Sequence, residues 1–225
     1  MIADKKDFIK RVIQYGIGLL IVAFGISISI KSALGVSPVS SLPYVFSLVT
    51  NIPFSVCSSS FYVAYIGVQW LILRKQFKIT LLFQMIPAIA FGFFVDLSDW
   101  MLAWVPAPEM FIFKLVYIAI SIVLIAIGVR MYFGAKLVNM PSEGIANALM
   151  VRYNFPLNRA KLTFDVSSVA IALILSFIAF GSMQGVGIGT ILIALGVGNC
   201  IKIINMILAK INAPKVVVTE VSDAE

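Results

Sequence analysis

Residues 33–53 read ALGVSPVSSLPYVFSLVTNIP, and residues 136–156, 103 positions later, read KLVNMPSEGIANALMVRYNFP. Both stretches interrupt long apolar runs with prolines, serines and an asparagine. Ser37-Pro38 is a helix start: a hydroxyl N-cap, then proline in the first turn, where its missing amide donor costs nothing. Asn51 before Pro53 is a stop. The second copy opens at Pro141 and places Glu143 at the third helical position, where its carboxylate faces free backbone amides and the positive end of the helix dipole. Ser40 takes the equivalent place in the first copy. The spacing predicts two short helices, 38–50 and 141–153, each about 20 Å long and too short to span a bilayer comfortably.

The sequence around them is built for lipid. Of 225 residues, 61% are hydrophobic and only 12% charged, with a mean hydropathy of +1.05. Soluble domains are roughly 45–50% apolar and about 25% charged, so most of this chain has lipid as its solvent. Six runs are long and apolar enough to cross as helices: 12–31, 56–73, 79–101, 111–133, 157–180 and 187–208. The first follows Lys5, Lys6, Lys10 and Arg11 but continues for about twenty residues with no A-x-A-like site after it, and reads as a retained span.

Charge placement sets the number of crossings. With six spans and a cytoplasmic N-terminus, all 17 Lys and Arg except Lys31 and Lys114 fall at inside ends. Asp96, Asp99 and Glu109 accompany those two outside. If the short pieces also crossed, the basic clusters would split between the two sides. The net charge of +7 is thus explained by the positive-inside rule, with both termini inside and no nucleic-acid partner required.

The two halves match in register. A shift of 103 places Gly25 on Gly128, Leu34 on Leu137, Pro38 on Pro141, Asn51 on Asn154, Pro53 on Pro156 and Phe61 on Phe164. A further seven residues bring Thr80 onto Thr190. Each copy is span, short helix, span, span. Three crossings is an odd number, so the second copy enters upside down. The expected fold is an all-α polytopic membrane protein of six spans plus two short helices, built as two inverted repeats. Residues 1–11 form a basic cytoplasmic start, 12–104 the first repeat, 105–208 the second, and 209–225 a cytoplasmic tail.

The short helices have two readings. As re-entrant half-helices they would bring Ser37, Pro38, Ser40, Ser41, Pro141, Ser142, Glu143 and Gly144 to a polar substrate or ion site between the repeats. As amphipathic connectors they would lie flat on the surface. The absence of any charge in 39–49 favours insertion. Glu143 is equally suited to a capping box and to a cation or proton site. Asp165 and Lys202 lie about 10 Å into the fifth and sixth spans and are expected to pair, with Arg130 or Arg159 as rival partners, either as part of the site or as a static pair fixing register.

Other features are weaker. Ser55, Ser58, Ser59 and Tyr62 form a hydroxyl row on the second span, which reads first as packing material. Gln84 and Asn199 are candidates to face the interior. Gly185-x-Gly187-x-Gly189-Thr190 lacks the preceding strand and following lysine of a nucleotide loop and reads as a turn. Trp70, Trp100 and Trp104 lie near span ends, as interfacial belts do. Cys57 and Cys200 have no disulfide or metal spacing and read as buried spectators. With no histidine, Ser-His chemistry and His-ligated metals are excluded. No cofactor motif is present, and an intramembrane enzyme is disfavoured because Asp96 and Asp165 are expected near opposite faces.

The motifs "LGVSP" (34–38), "MPSEGIANALM" (140–150), "NRAKLTFD" (158–165) and "GVGIGT" (185–190) resemble the YitT/YczE-like family of bacterial integral membrane proteins, along residues 11–208. Where that family carries a P-R-D-G-like motif, this chain has Pro141-Ser142-Glu143-Gly144, keeping an acid and losing the arginine. The resemblance implies a bacterial plasma-membrane location and six spans, and supplies no substrate. The expected function is secondary transport of a small solute, coupled to protons or cations at Glu143 and Asp165. A channel and a non-transporting regulatory or assembly protein are the alternatives. A homodimer is a further expectation, although no GxxxG seam is evident.

Overall fold

In lipid every backbone polar group must be satisfied within the chain, which makes helices the natural form of long apolar runs. The computed structural model is helical accordingly. It describes residues 2–212, with side chains for 5–209; residue 1 and residues 213–225, including Lys215 and most of the expected tail, lie outside the described residues, as does the side chain of Lys210. The helices are α1 (Ile2–Ser32), α2 (Pro38–Thr50), α3 (Phe54–Leu73), α4 (Met85–Met101), α5 (Phe111–Gly134), α6 (Pro141–Tyr153), α7 (Leu157–Phe180) and α8 (Ile188–Asn212). Six segments are long and apolar enough to cross a membrane, and α2 and α6 are not among them.

Two boundaries differ from the sequence reading. Helix α1 begins at Ile2 rather than at residue 12. At 1.5 Å per residue it is about 46 Å long, more than a hydrocarbon core of ~30 Å. Its first turns carry exposed Lys5, Lys6 and Lys10 and half-buried Arg11. The span expected over 79–101 starts as a 3-10 turn, Ile79–Gln84, and becomes α-helical at Met85. Pro87 explains the change, since it has no amide to donate to the carbonyl of Phe83 and its ring crowds that carbonyl.

The short helices start and stop where the caps indicated. Asn51 closes α2 at φ 56° and Asn154 closes α6 at φ 55°, both left-handed. Ala33 after α1 and Lys136 after α5 are also left-handed, at φ 53° and 52°. These four residues fall into two pairs 103 positions apart. Neither short helix lies flat on the surface. Pro38, Ser40, Ser41, Pro43 and Val45 of α2 are buried, as are Pro141, Ser142, Gly144, Ile145, Ala146 and Ala148 of α6. The exposed residues of each are confined to its C-terminal end.

The most extensive contact joins α1 and α5. It rests on small residues that let two backbones approach. A Cβ on Gly25 would lie 3.1 Å from the Ser121 carbonyl oxygen, and one on Gly128 would lie 2.6 Å from that of Gly18. The pairing descends on one helix as it climbs on the other, so the helices are antiparallel. Around this centre α4 packs on α1, α8 on α5, α2 on α7 and α6 on α3. The main core gathers Leu19 and Ile26 from α1, Tyr62 and Tyr65 from α3, Phe91 from α4, Ile118 and Ile125 from α5, Ile145 from α6, Phe164 from α7 and Ile193 from α8.

Candidate functional site

The starts of α2 and α6 open onto one cavity of about 820 Å³. Helix α2 contributes Pro38, Val39 and Ser40, with Ser37 just ahead of it. Helix α6 contributes Ser142, Glu143, Ala146 and Asn147, and α7 contributes Asn158, Lys161, Phe164 and Asp165. Of the residues singled out from sequence, Ser37, Pro38, Ser40, Ser142, Glu143 and Asp165 line this space.

The Glu143 carboxylate is not a cap. No side chain bonds to the backbone at the start of α6. One carboxylate oxygen, Oε1, accepts a 2.6 Å hydrogen bond from the Tyr132 hydroxyl. The other, Oε2, is buried without a partner. Asp165 shows the same pattern, with Oδ1 buried and unpartnered. An unmatched carboxylate oxygen away from water is costly, so two around one cavity mark a place where a donor or cation belongs. A third acceptor comes from the backbone. Pro43 has no amide, so the Val39 carbonyl lacks its usual helical donor, and Val39 lines the cavity. At the start of α2 the Ser37 hydroxyl also departs from its expected capping role and donates to Ser40 Oγ at 3.0 Å.

The expected Asp165–Lys202 pair does not form. Lys202 is exposed and does not line the cavity. Among the described residues the one salt bridge within 4.0 Å is Arg11–Asp7, at 3.9 Å. Helices α7 and α8 do not pack face to face, so equal depth along them does not bring side chains together. The lysine that shares the cavity with Asp165 is Lys161, one helical turn earlier on α7. The rival partners fare no better: Arg130 Nε donates to Asn205 Oδ1 at 2.6 Å, and Arg159 sits over the Phe155 ring.

Three predicted residues shape the site without lining it. Ser41 is buried and donates to the Pro38 carbonyl at 2.7 Å. The Pro141 carbonyl accepts from Gln69 Nε2 at 3.1 Å, and the same nitrogen donates to Gln84 Oε1 at 2.8 Å. Gly144 leaves room for that amide, since a Cβ there would lie 2.5 Å from Gln69 Nε2. Sequence reasoning passed over Gln69, Tyr132 and Lys161. A buried amide in a span, a tyrosine eleven residues ahead of an acid, and the lysine inside "NRAKLTFD" were the available signals.

The weaker readings divide. Gln84 is buried as expected, but Asn199 is exposed. Ser55 and Ser58 are buried and Ser59 donates across to the Ala88 carbonyl of α4 at 3.1 Å, as packing residues do, whereas Tyr62 lines the cavity. The glycine-rich 185–190 segment is a turn that runs into the first residues of α8 and grips the chain ahead of α2. Gly189 N donates to Leu34 O at 2.8 Å and Val36 N to Gly185 O at 3.3 Å. Cys57 is buried and Cys200 partly so.

The sequence profile of a family of unknown function, DUF6198, matches residues 9–206, from within α1 to within α8. The chain belongs to the DUF6198 family. It is 30% identical over 199 residues to a Bacillus subtilis (strain 168) protein titled "Uncharacterized membrane protein YczE", covering 86% of this chain and 85% of that one. It is also 30% identical over 185 residues to the same organism's "Uncharacterized protein YyaS", covering 81% and 86%. The YczE-like resemblance carried by the motifs therefore holds. No solved structure matches. All four segments quoted above meet at the cavity or hold its walls: 34–38 and 140–150 supply the helix starts, 158–165 supplies Lys161 and Asp165, and 185–190 grips the loop before α2.

Proposed function

We propose that this DUF6198 protein is a secondary transporter of a small solute, with its site between two inverted repeats. One observation carries the reading: a single cavity is lined by the starts of both short helices and by two carboxylates that each have one buried, unpartnered oxygen. Broken elements that bring helix starts, free carbonyls and acids together inside a membrane protein suit substrate and ion coordination.

Support for the repeat lies in the backbone and the packing. The left-handed pairs Ala33/Lys136 and Asn51/Asn154 keep the 103-residue shift. So does the α1–α5 crossing: exchanging the halves turns the Gly25–Ser121 approach into the Gly128–Gly18 approach. Helix α2 on α7 likewise exchanges with α6 on α3. In this reading both short helices are re-entrant. The protein sits in the bacterial plasma membrane with both termini cytoplasmic, and rocking one repeat against the other exposes the cavity alternately. It carries its solute without chemical change. Glu143 and Asp165 take the coupling proton or cation.

The test is flux into proteoliposomes holding the purified protein, across a panel of amines, amino acids and inorganic cations, with and without proton and sodium gradients. Gradient-driven uptake that falls roughly a hundredfold in Glu143→Gln is expected, the scale of losing one essential charge partner. Absence of flux for the whole panel under every gradient would overturn the reading.

A further inference from the structure

Helices α7 and α8 are consecutive in the chain, yet they share no substantial packing. Their counterparts α3 and α4 are packed along their length, with Ser59 of α3 seated against Gly92 of α4. The cavity fills the gap instead: its walls include Lys161, Phe164 and Asp165 of α7 and Ile193, Ala194, Val197, Gly198 and Ile201 of α8. Lys161, Ala194 and Gly198 are exposed although they line it. The space is therefore open along the α7–α8 side, where a membrane protein meets acyl chains. Ala194 and Gly198, four residues apart on α8, are too small to close it.

The walls differ in chemistry. From Ile193 to Ile201 the face of α8 toward the cavity is apolar, and Val22, Ile26, Ile125 and Val129 continue it. Opposite stand Glu143, Asp165, Asn147 and Asn158. Lys161 and, at the rim, Arg130 share the lining with these two carboxylates, and Arg130 donates to the neutral amide of Asn205. The two buried carboxylate oxygens without partners suit a positive headgroup, and an anion would have to approach both of them.

We infer that the cleft between α7 and α8 admits from the bilayer an amphiphile with a cationic headgroup and one apolar chain, the headgroup lying between Glu143 and Asp165 and the chain along Ile193–Ile201 of α8. This rests on reading the cavity as the solute site and adds the class of solute and its lateral route.

The test uses full-length protein in lipid nanodiscs with Cys57→Ser and Cys200→Ser. An Ala194→Cys reporter is labelled by N-ethylmaleimide in the presence of tetramethylammonium, butyltrimethylammonium, octyltrimethylammonium or octyl sulfonate. An Ile191→Cys control reports on an exposed position of α8 that does not line the cavity, since Ile191 is 62% exposed. Octyltrimethylammonium should slow labelling at Ala194→Cys alone, at a concentration at least tenfold below that needed for the butyl compound, because each buried methylene is worth about fourfold in affinity. Asp165→Asn and Glu143→Gln, each checked for monodisperse elution, should each raise that concentration about tenfold.

Equal protection by tetramethylammonium and octyltrimethylammonium would overturn the chain site and the lateral route while leaving a cation site in place. Protection by octyl sulfonate as strong as by the cation would overturn the headgroup assignment. Equal protection of Ile191→Cys would reduce the effect to bilayer partition and overturn the inference. Protection by none of the four would remove the solute-site reading as well.

Discussion

Glu143 shows how one residue acquires a role from its neighbours. Its position at the start of a short helix suits a cap, and sequence alone leaves cap and site equally open. The tertiary structure turns the carboxylate away from its own helix to the Tyr132 hydroxyl of α5. Tyr132→Phe removes the hydroxyl that donates to Oε1 of that carboxylate, and leaving a buried acceptor unmatched costs about 1–3 kcal/mol. Thermal unfolding in detergent should therefore register a clear loss for Tyr132→Phe. Lys202→Ala should leave the unfolding temperature and any flux unchanged, since an exposed residue with no partner among the described residues contributes within about 0.5 kcal/mol. A loss equal to that of Tyr132→Phe would reinstate a pairing role for Lys202. The place of Lys202 along α8 was legible in the sequence because rise per residue is constant. Which way it faced was not, because rotation about a helix axis is set by the helices packed around it.

Among the elements, the short helices were the most legible. Proline starts and asparagine stops act within a few residues, and α2 and α6 run over the expected thirteen positions. The α1–α5 contact was not legible in the same way. Its small residues, Gly18 and Gly25 on one helix and Ser121 and Gly128 on the other, are seven apart rather than four, and a search for GxxxG passes over them. Seven residues are nearly two turns, so the seam is continuous on the helix surface although it is sparse in sequence. Gly25→Leu or Gly128→Leu forces the two backbones apart and should lower stability by about 1–3 kcal/mol or more. Gly67→Ala on α3, where nothing lies within 4 Å of the added methyl, should stay within about 0.5 kcal/mol of the parent. Denaturant titration in mixed micelles separates the two. Similar losses at both positions would show that the close approach at the crossing does not control the result.

At the scale of the whole molecule, the proposed inverted repeat makes a topological prediction. Single cysteines at Ile52 and Tyr153, both exposed near the ends of α2 and α6, should react with a membrane-impermeant maleimide from opposite sides in a background lacking Cys57 and Cys200. Labelling of both from one side would reject the inversion. Composition and the length of the apolar runs determined that this chain lives in lipid as six long helices, because the hydrocarbon thickness and the demand for internal hydrogen bonds leave little else. Local start and stop residues determined the two short helices, because caps act through neighbouring backbone groups. Only the tertiary structure decided that the starts of those helices line one cavity, that Glu143 and Asp165 share it with Lys161 instead of Lys202, and that α7 and α8 stand apart. Those outcomes depend on which helix faces pack together across a hundred residues of chain, and no local pattern encodes a rotation or a gap.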